Sequence, residues 1–124
     1  METDQGMKKI YTGALFVVVL LTGCATPTMY SWGHYEDLIY VSYEAPDKMP
    51  PEKQIEVLEA DYQKARSKNK PVPPGFHAHL GYLYYQIGKV AEARSEFATE
   101  EANYPESKVF MDRLMSSLDK EGKQ

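Results

Sequence analysis

The spacing of small and large residues in the second half of the chain constrains the fold more than any other feature. Residues 74–106 read PGFHAHLGYLYYQIGKVAEARSEFATEEANYPE. Apolar residues recur at helical intervals on both sides of a glycine, and a proline follows the second run. The positions concerned are Leu80, Gly81, Tyr84, Gly88, Ala93, Phe97 and Pro105. This pattern predicts two antiparallel helices that meet at small residues and are joined by a tight turn at Gly88.

The same positions resemble the tetratricopeptide repeat, whose signature runs L-G-x-x-Y, then A-x-x-x-F, then P. The resemblance implies a helix–turn–helix unit whose first helix lines a concave groove. Two positions depart from the pattern: His77 stands where a large aromatic residue is usual, and Glu100 replaces the usual alanine, which implies looser packing there. One repeat cannot bury its own apolar face, so neighbouring elements must cover it.

Three further segments are candidates for that cover. Residues 52–67 carry a helical stripe of Ile55, Leu58, Tyr62 and Ala65, and Pro50 and Pro51 suit its start. Residues 107–118 predict a capping helix with the stripe Phe110, Met111, Leu114, Met115 and Leu118. Residues 35–43 fit either a helix or a strand, because β-branched and aromatic residues are frequent there. We therefore expect an all-α fold of five helices, arranged as two short antiparallel pairs and a C-terminal capping helix.

The N-terminal segment has the layout of a secretory signal. Residues 10–21 carry no charge, follow Lys8 and Lys9, and are too short for the roughly 20 residues of a membrane-spanning helix. The run ends in Leu21, Thr22, Gly23 and Cys24, and Cys24 is the only cysteine. This ending resembles the bacterial lipobox, which implies acylation of Cys24 and cleavage before it. The alternative is a free thiol beside an ordinary cleavage site.

These features divide the chain into a lipoprotein signal peptide at residues 1–23, a lipidated tether at 24–34 and a helical domain at 35–120. Several acyl chains on Cys24 would give stable membrane anchoring, whereas one chain anchors only marginally. Ala25 follows the cysteine in place of the aspartate that holds many lipoproteins at the inner membrane. The resemblance therefore implies the periplasmic face of the outer membrane.

The chain as a whole resembles a family of small bacterial lipoproteins known only as a domain of unknown function. The resemblance rests on MYSWGHYEDLIY, the loop KPVPPG with HAHLGYLY after it, and YPESKVFMDRL near the end. Such proteins are often encoded beside a lipoprotein that resembles the curli-secretion pore. This implies that such a lipoprotein is a partner in an envelope assembly.

Nothing in the composition or spacing points to catalysis. The net charge is −4 with mixed signs, which argues against nucleic-acid binding. His77 and His79 are two apart on a helix and make a poor metal pair. Glu92, Glu96 and Glu100 recur every four residues, which predicts a solvated helix face. We expect no enzyme, no cofactor, no metal and no small-molecule substrate.

Recognition of a protein partner is the remaining function. By resemblance to the repeat, the groove positions are Ala78, Tyr82, Tyr85 and Gln86, although the preceding helix could cover one of the tyrosine rings. Trp32 and Tyr35 form a second candidate docking surface. Lys64, Arg66, Lys68 and Lys70 either complement a helix dipole or bind an acidic lipid or polymer.

Two functional hypotheses follow. The first is a lipid-anchored, non-enzymatic adaptor for a protein partner in a multi-lipoprotein envelope or secretion complex. The second is a regulator that contacts peptidoglycan or a cell-wall enzyme through the basic cluster.

Overall fold

The computed structural model describes Gly6 and residues 27–121, so the signal peptide and the lipobox positions Leu21, Thr22, Gly23 and Cys24 lie outside the described residues. The described chain is all-α, as expected. Its five α-helices are α1 (Tyr35–Glu44), α2 (Pro51–Ser67), α3 (Phe76–Gln86), α4 (Val90–Asn103) and α5 (Lys108–Glu121). Short 3-10 turns at Pro46–Lys48 and Pro105–Ser107 precede α2 and α5. Within the described residues, no helix combines the length and hydrophobicity that a membrane span requires.

Helix α1 settles the ambiguity of residues 35–43, where the helical alternative is correct. Its attachment to the core explains why the pattern was ambiguous. Leu38 is the one fully buried residue of α1, and its exposed side carries large aromatic residues. With one fully buried leucine and the partly buried Tyr35 as its core contacts, α1 leaves only a weak helical period in the sequence.

Helices α3 and α4 form an antiparallel pair. The turn between them has Gly88 at a φ of 77°, a left-handed conformation that glycine adopts without steric cost. The amides of Gly88 and Lys89 donate hydrogen bonds to the carbonyls of Tyr85 and Tyr84, which closes the end of α3 in a Schellman arrangement. This geometry reverses the chain over three residues.

The two helices of the pair approach each other closely at Gly81. A Cβ atom at this position would lie 2.6 Å from the Phe97 ring and 3.1 Å from the Ala93 carbonyl oxygen. Leu80, Tyr84, Ala93 and Phe97 are all buried around this contact, and Pro105 begins the 3-10 turn that follows α4. A larger residue at 81 would therefore force the two helices apart.

One apolar core joins the five helices. Its fully buried members include Leu38 from α1, Ile55, Leu58 and Ala65 from α2, Phe76, Leu80 and Leu83 from α3, Ala93 and Phe97 from α4, and Met111 and Leu118 from α5. Of the stripe predicted for α5, Leu114 and Met115 are partly buried against this core. Phe110, however, is 58% exposed, so its assignment to the buried stripe was wrong. The core contacts of α5 follow the Met111–Leu118 line, and Phe110 lies beside it.

Candidate functional site

Two clefts open near opposite ends of α2. We call the first the tyrosine cleft and the second the tether cleft. The tyrosine cleft lies where the start of α2 meets the end of α3, and the tether cleft lies where the end of α2 meets the start of α3. Because α2 has 17 residues, its two ends are about 24 Å apart.

The tyrosine cleft has a volume of about 200 Å³. Its wall comes from α1, the connector after it, and the facing ends of α2 and α3. The lining residues are Ser42, Tyr43, Pro46, Pro51, Gln54, His79, Tyr82 and Gln86. Tyr43 is 84% exposed and Tyr82 is 48% exposed, so each presents a ring with a polar tip to solvent.

A polar network fixes the α1 side of the tyrosine cleft. Gln54 is buried, and its Nε2 donates a hydrogen bond of 2.9 Å to the carbonyl oxygen of Met49. The Ser42 hydroxyl lies 2.9 Å from both Gln54 Oε1 and the carbonyl oxygen of Leu38. The amide of Gln54 therefore connects α1, the connector and α2 through its two ends.

His79 forms part of the floor of the tyrosine cleft. Its ring packs edge-on against Tyr35 of α1, with the ring centroids 6.1 Å apart. Burial lowers the pKa of His79 to about 4, so the imidazole is neutral near pH 7. Its buried Nε2 has no hydrogen-bond partner among the described residues. The sequence offered no sign of this role, because it depends on the packing of α1 across α3.

The four predicted groove positions do not share one open surface. Tyr82 and Gln86 line the tyrosine cleft and are exposed. Tyr85 and Ala78 are partly buried and pack against the core. Of the two rings, Tyr82 is exposed and Tyr85 is partly buried, in agreement with the alternative that one of them is covered, and Tyr43 of α1 is the second tyrosine of the cleft. A helical wheel of α3 alone could not find Tyr43.

Trp32 and Tyr35 are stacked with their ring centroids 6.4 Å apart. Tyr35 also packs against Phe76, and burial raises the pKa of its hydroxyl. Tyr35 therefore anchors the start of α1 to the core and offers little free ring surface. Trp32 is 38% exposed and is the accessible member of the pair.

The tether cleft is larger, with a volume of about 760 Å³. It combines aromatic rings, amides and cations beside the segment that precedes α1. The lining residues are Met29, Tyr30, Tyr62, Arg66, Asn69, Lys70, Pro71, Val72, His77, Asn103 and Tyr104. Tyr30 packs edge-on against Tyr104, so residues that the sequence assigned to the tether lie against the helices. Burial raises the pKa of Tyr104 to about 12, and its hydroxyl donates a hydrogen bond to the carbonyl oxygen of Val72.

A buried carboxylate organises the start of α3. Glu100 is 2% exposed, and its oxygens accept hydrogen bonds from the amides of Gly75 at 2.6 Å, His77 at 3.2 Å and Ala78 at 3.3 Å. These N–H groups have no intrahelical partner, and the helix dipole favours an anion there. The predictions of a solvated Glu100 and of looser packing at this position are both wrong. A helix that begins after Pro-Pro-Gly has no capping side chain of its own, which is the signal that sequence reasoning missed.

The other two glutamates of the predicted face have separate environments. Glu96 is partly buried, and its Oε2 lies 2.6 Å from Nδ1 of the buried His77. Glu92 is exposed. Side-chain exposure therefore increases along this face of α4, from the buried cap Glu100 through Glu96 to the solvated Glu92. No group of three histidine, cysteine or acidic side chains within residues 27–121 is arranged to hold a metal ion.

Fold and clefts together define the class: a small all-helical domain with a cleft near each end of α2, of which the tyrosine cleft carries exposed aromatic side chains. More particularly, the chain belongs to the family described as Domain of unknown function (DUF4810), whose family model matches residues 29–114. This confirms the expectation of a family of unknown function. Neither the curated proteins nor the solved structures include a match to the chain. Every residue that lines the two clefts lies inside the matched range.

Proposed function

We propose that this protein is a lipid-anchored, non-enzymatic adaptor that binds a protein partner at the periplasmic face of the outer membrane. The lipobox-like sequence ending at Cys24 supports the anchor, and acyl chains on that cysteine would retain the domain at the bilayer. The partner we propose is another outer-membrane lipoprotein that resembles the curli-secretion pore. The two together would form part of an envelope or secretion complex.

The tyrosine cleft is the observation that carries the docking role. Two tyrosines from different helices, Tyr43 and Tyr82, expose most or half of their surface around one concavity, and Tyr40, one turn before Tyr43 on α1, is also exposed. Tyrosine is enriched at binding hot spots because it supplies a large contact area at a low cost in conformational entropy. Partly buried hydrogen bonds from Ser42 to Gln54 and from Gln54 to Met49 connect the α1 wall behind these rings to α2.

We further propose that α3 and α4 are a tetratricopeptide-like repeat, with α1 and α2 as a degenerate neighbour. The close approach at Gly81 and the turn at Gly88 support this assignment for the second pair. The longer connector and the small buried face of α1 make the first pair irregular. That irregularity is what opens the tyrosine cleft between α1 and α3.

The test is recovery of the partner from solubilised membranes with the Tyr43→Ala, Tyr82→Ala double variant. We expect partner recovery to fall at least about tenfold, since a single hot-spot residue typically contributes 2 kcal/mol or more. The matched control is Phe110→Ala, which removes an aromatic side chain of similar exposure from α5. Undiminished recovery of the partner with the double variant would contradict the docking role.

A further inference from the structure

The segment before α1 is attached beside the tether cleft. The Ser31 amide donates a hydrogen bond of 2.8 Å to the carbonyl oxygen of Pro71. Nζ of Lys70 donates one of 3.0 Å to the hydroxyl of Thr28. Residues 28–31 therefore lie against the loop that joins α2 to α3. The direction from which the chain enters the domain is set by these contacts.

The entry point limits how far Cys24 can lie from this loop. Thr28 is four residues after Cys24 (28 minus 24), and four extended residues span at most about 14 Å. If Cys24 carries the acyl chains of the proposed function, Thr28 and the Lys70 side chain bonded to it stay within about that distance of the acylated residue, and the end of α2 lies next to them. The start of α2, with the tyrosine cleft, has no such constraint.

The surface at this end of α2 is cationic. Lys64, Arg66 and Lys68 are exposed around the last turn of α2, and Lys70 is partly buried in the loop that follows it. None of the four takes part in an ion pair within residues 27–121; Arg66 instead lies over the Tyr62 ring, 5.9 Å from its centroid. The negative end of a helix dipole amounts to about half a charge, so four cations exceed what the dipole needs. The exposed Met29 adds an apolar side chain to the same surface.

We propose that this basic surface docks on anionic phospholipid headgroups and so orients the anchored domain. The proposal rests on the lipid anchor of the proposed function and adds an orientation to it. A chain with a net charge of −4 is repelled by an anionic bilayer in most orientations, but the four cations make this one favourable. The short connection to Cys24 keeps the surface at a high effective concentration near the headgroups.

This orientation has a consequence for the partner. The proposed orientation places the end of α2 against the membrane with the helix pointing away from it, so the tyrosine cleft, near the opposite end of α2, lies up to about 24 Å from the docked end. The partner surface that it receives must therefore project a similar distance from the bilayer. Lipid docking and partner docking use different ends of the domain and do not compete.

The experiment uses the acylated protein in vesicles with a fluorescent thiol probe on either end of α2. Because acylation occupies the single native thiol, Ser67→Cys and Glu52→Cys each add one site for the label. Both positions are exposed, and they mark the proposed near and far ends. Collisional quenching by a lipid with a nitroxide headgroup then reports which end touches the surface.

With phosphatidylglycerol in the vesicles, we expect strong quenching of the Ser67→Cys probe and little quenching of the Glu52→Cys probe. Vesicles of phosphatidylcholine alone are expected to remove this difference. About 1 M salt is also expected to remove this difference in quenching, because the screening length falls to about 3 Å. Adding Arg66→Glu and Lys68→Glu to the Ser67→Cys protein should lower the docked fraction relative to the undocked one at least about 25-fold, since each cation contributes about a fivefold factor.

The matched control is Lys48→Glu with Lys53→Glu, which changes the net charge equally at the far end of α2 and should leave the quenching unchanged.

Flotation with phosphatidylcholine vesicles separates the two proposals. Protein that fails to float contradicts the acyl anchor itself. Protein that floats but shows equal quenching at both probes contradicts the docking while leaving the anchor intact. Loss of binding to purified peptidoglycan in the Arg66→Glu, Lys68→Glu variant, with lipid quenching unaffected, would assign the surface to the wall polymer and overturn the proposal.

Discussion

The α3–α4 pair and the proposed α1–α2 pair of this domain are attached in different ways. Helix α3 buries six of its 11 residues, and it meets α4 at Gly81 with an aromatic ring in direct contact. Helix α1 fully buries Leu38 alone, and polar contacts through Ser42 and Gln54 connect it to α2. The α3–α4 pair therefore depends on close apolar packing, and the α1–α2 pair depends on a few directed contacts.

The difference separates the packing that stabilises the domain from the surface that we propose for docking. Close apolar packing leaves few side chains of α3 free, and those that are exposed face α1. The loosely attached α1 leaves large aromatic side chains in solvent and a cleft behind them. A region with few buried contacts is also the region that opens at the lowest free energy. We therefore expect α3 and α4 to determine the global stability, and α1 to determine access to the cleft.

The largest effect is expected from Phe97→Ala. Phe97 is buried against Gly81 on the α3–α4 contact, and its removal leaves a cavity that the close helix approach cannot fill. We expect the free energy of unfolding to fall by about 4 kcal/mol, measured by urea denaturation. The matched control is Tyr43→Ala on α1, whose exposed ring predicts a change below about 0.5 kcal/mol. Similar losses for both variants would show that the two pairs are equally packed.

A smaller effect is expected from Glu100→Ala. The substitution leaves the buried amide of His77 and the partly buried amides of Gly75 and Ala78 without their acceptor, which should cost about 3 kcal/mol of unfolding free energy. Glu100→Gln retains one carbonyl oxygen and should lose less. Glu92→Ala on the same helix is the control, because that side chain is exposed. A loss for Glu92→Ala equal to that for Glu100→Ala would contradict the capping role.

The helix pairs also differ in how well the sequence predicted them. The packing positions of α3 and α4 follow from local spacing, since Gly81, Gly88 and Phe97 each have a role defined by the adjacent helix. Glu100 and His79 were not predictable in this way. Their environments depend on segments more than 20 residues away. The Gly75 amide donates a hydrogen bond to Glu100, and the Tyr35 ring packs on the imidazole of His79. The sequence predicted the α3 side of the tyrosine cleft, because Tyr82 lies on a helix with a clear pattern. It did not predict the α1 side, because Tyr43 lies on a helix without one.

The smallest expected effect concerns the contact between α1 and α3 at His79. The pKa of His79 is about 4 in the folded protein and 6.5 in an exposed histidine. The unfolded or detached state therefore binds more protons between these values. The stability that a neutral His79 provides is complete above about pH 6.5 and is lost as the pH falls toward 4.

Because the imidazole packs on Tyr35, protonation should release α1 from α3 before the α3–α4 pair opens. At about pH 5 we expect the opening free energy of α1 to fall by about 1 kcal/mol, allowing for the partial exposure of the ring, with α4 unchanged. Amide hydrogen exchange, corrected for the intrinsic pH dependence, measures both helices in one sample. His79→Leu removes the titrating group and should make the protection of α1 independent of pH over this range. An equal loss of protection in α1 and α4 would show that the domain opens as one unit, and the contrast between the two pairs would then not extend to their dynamics.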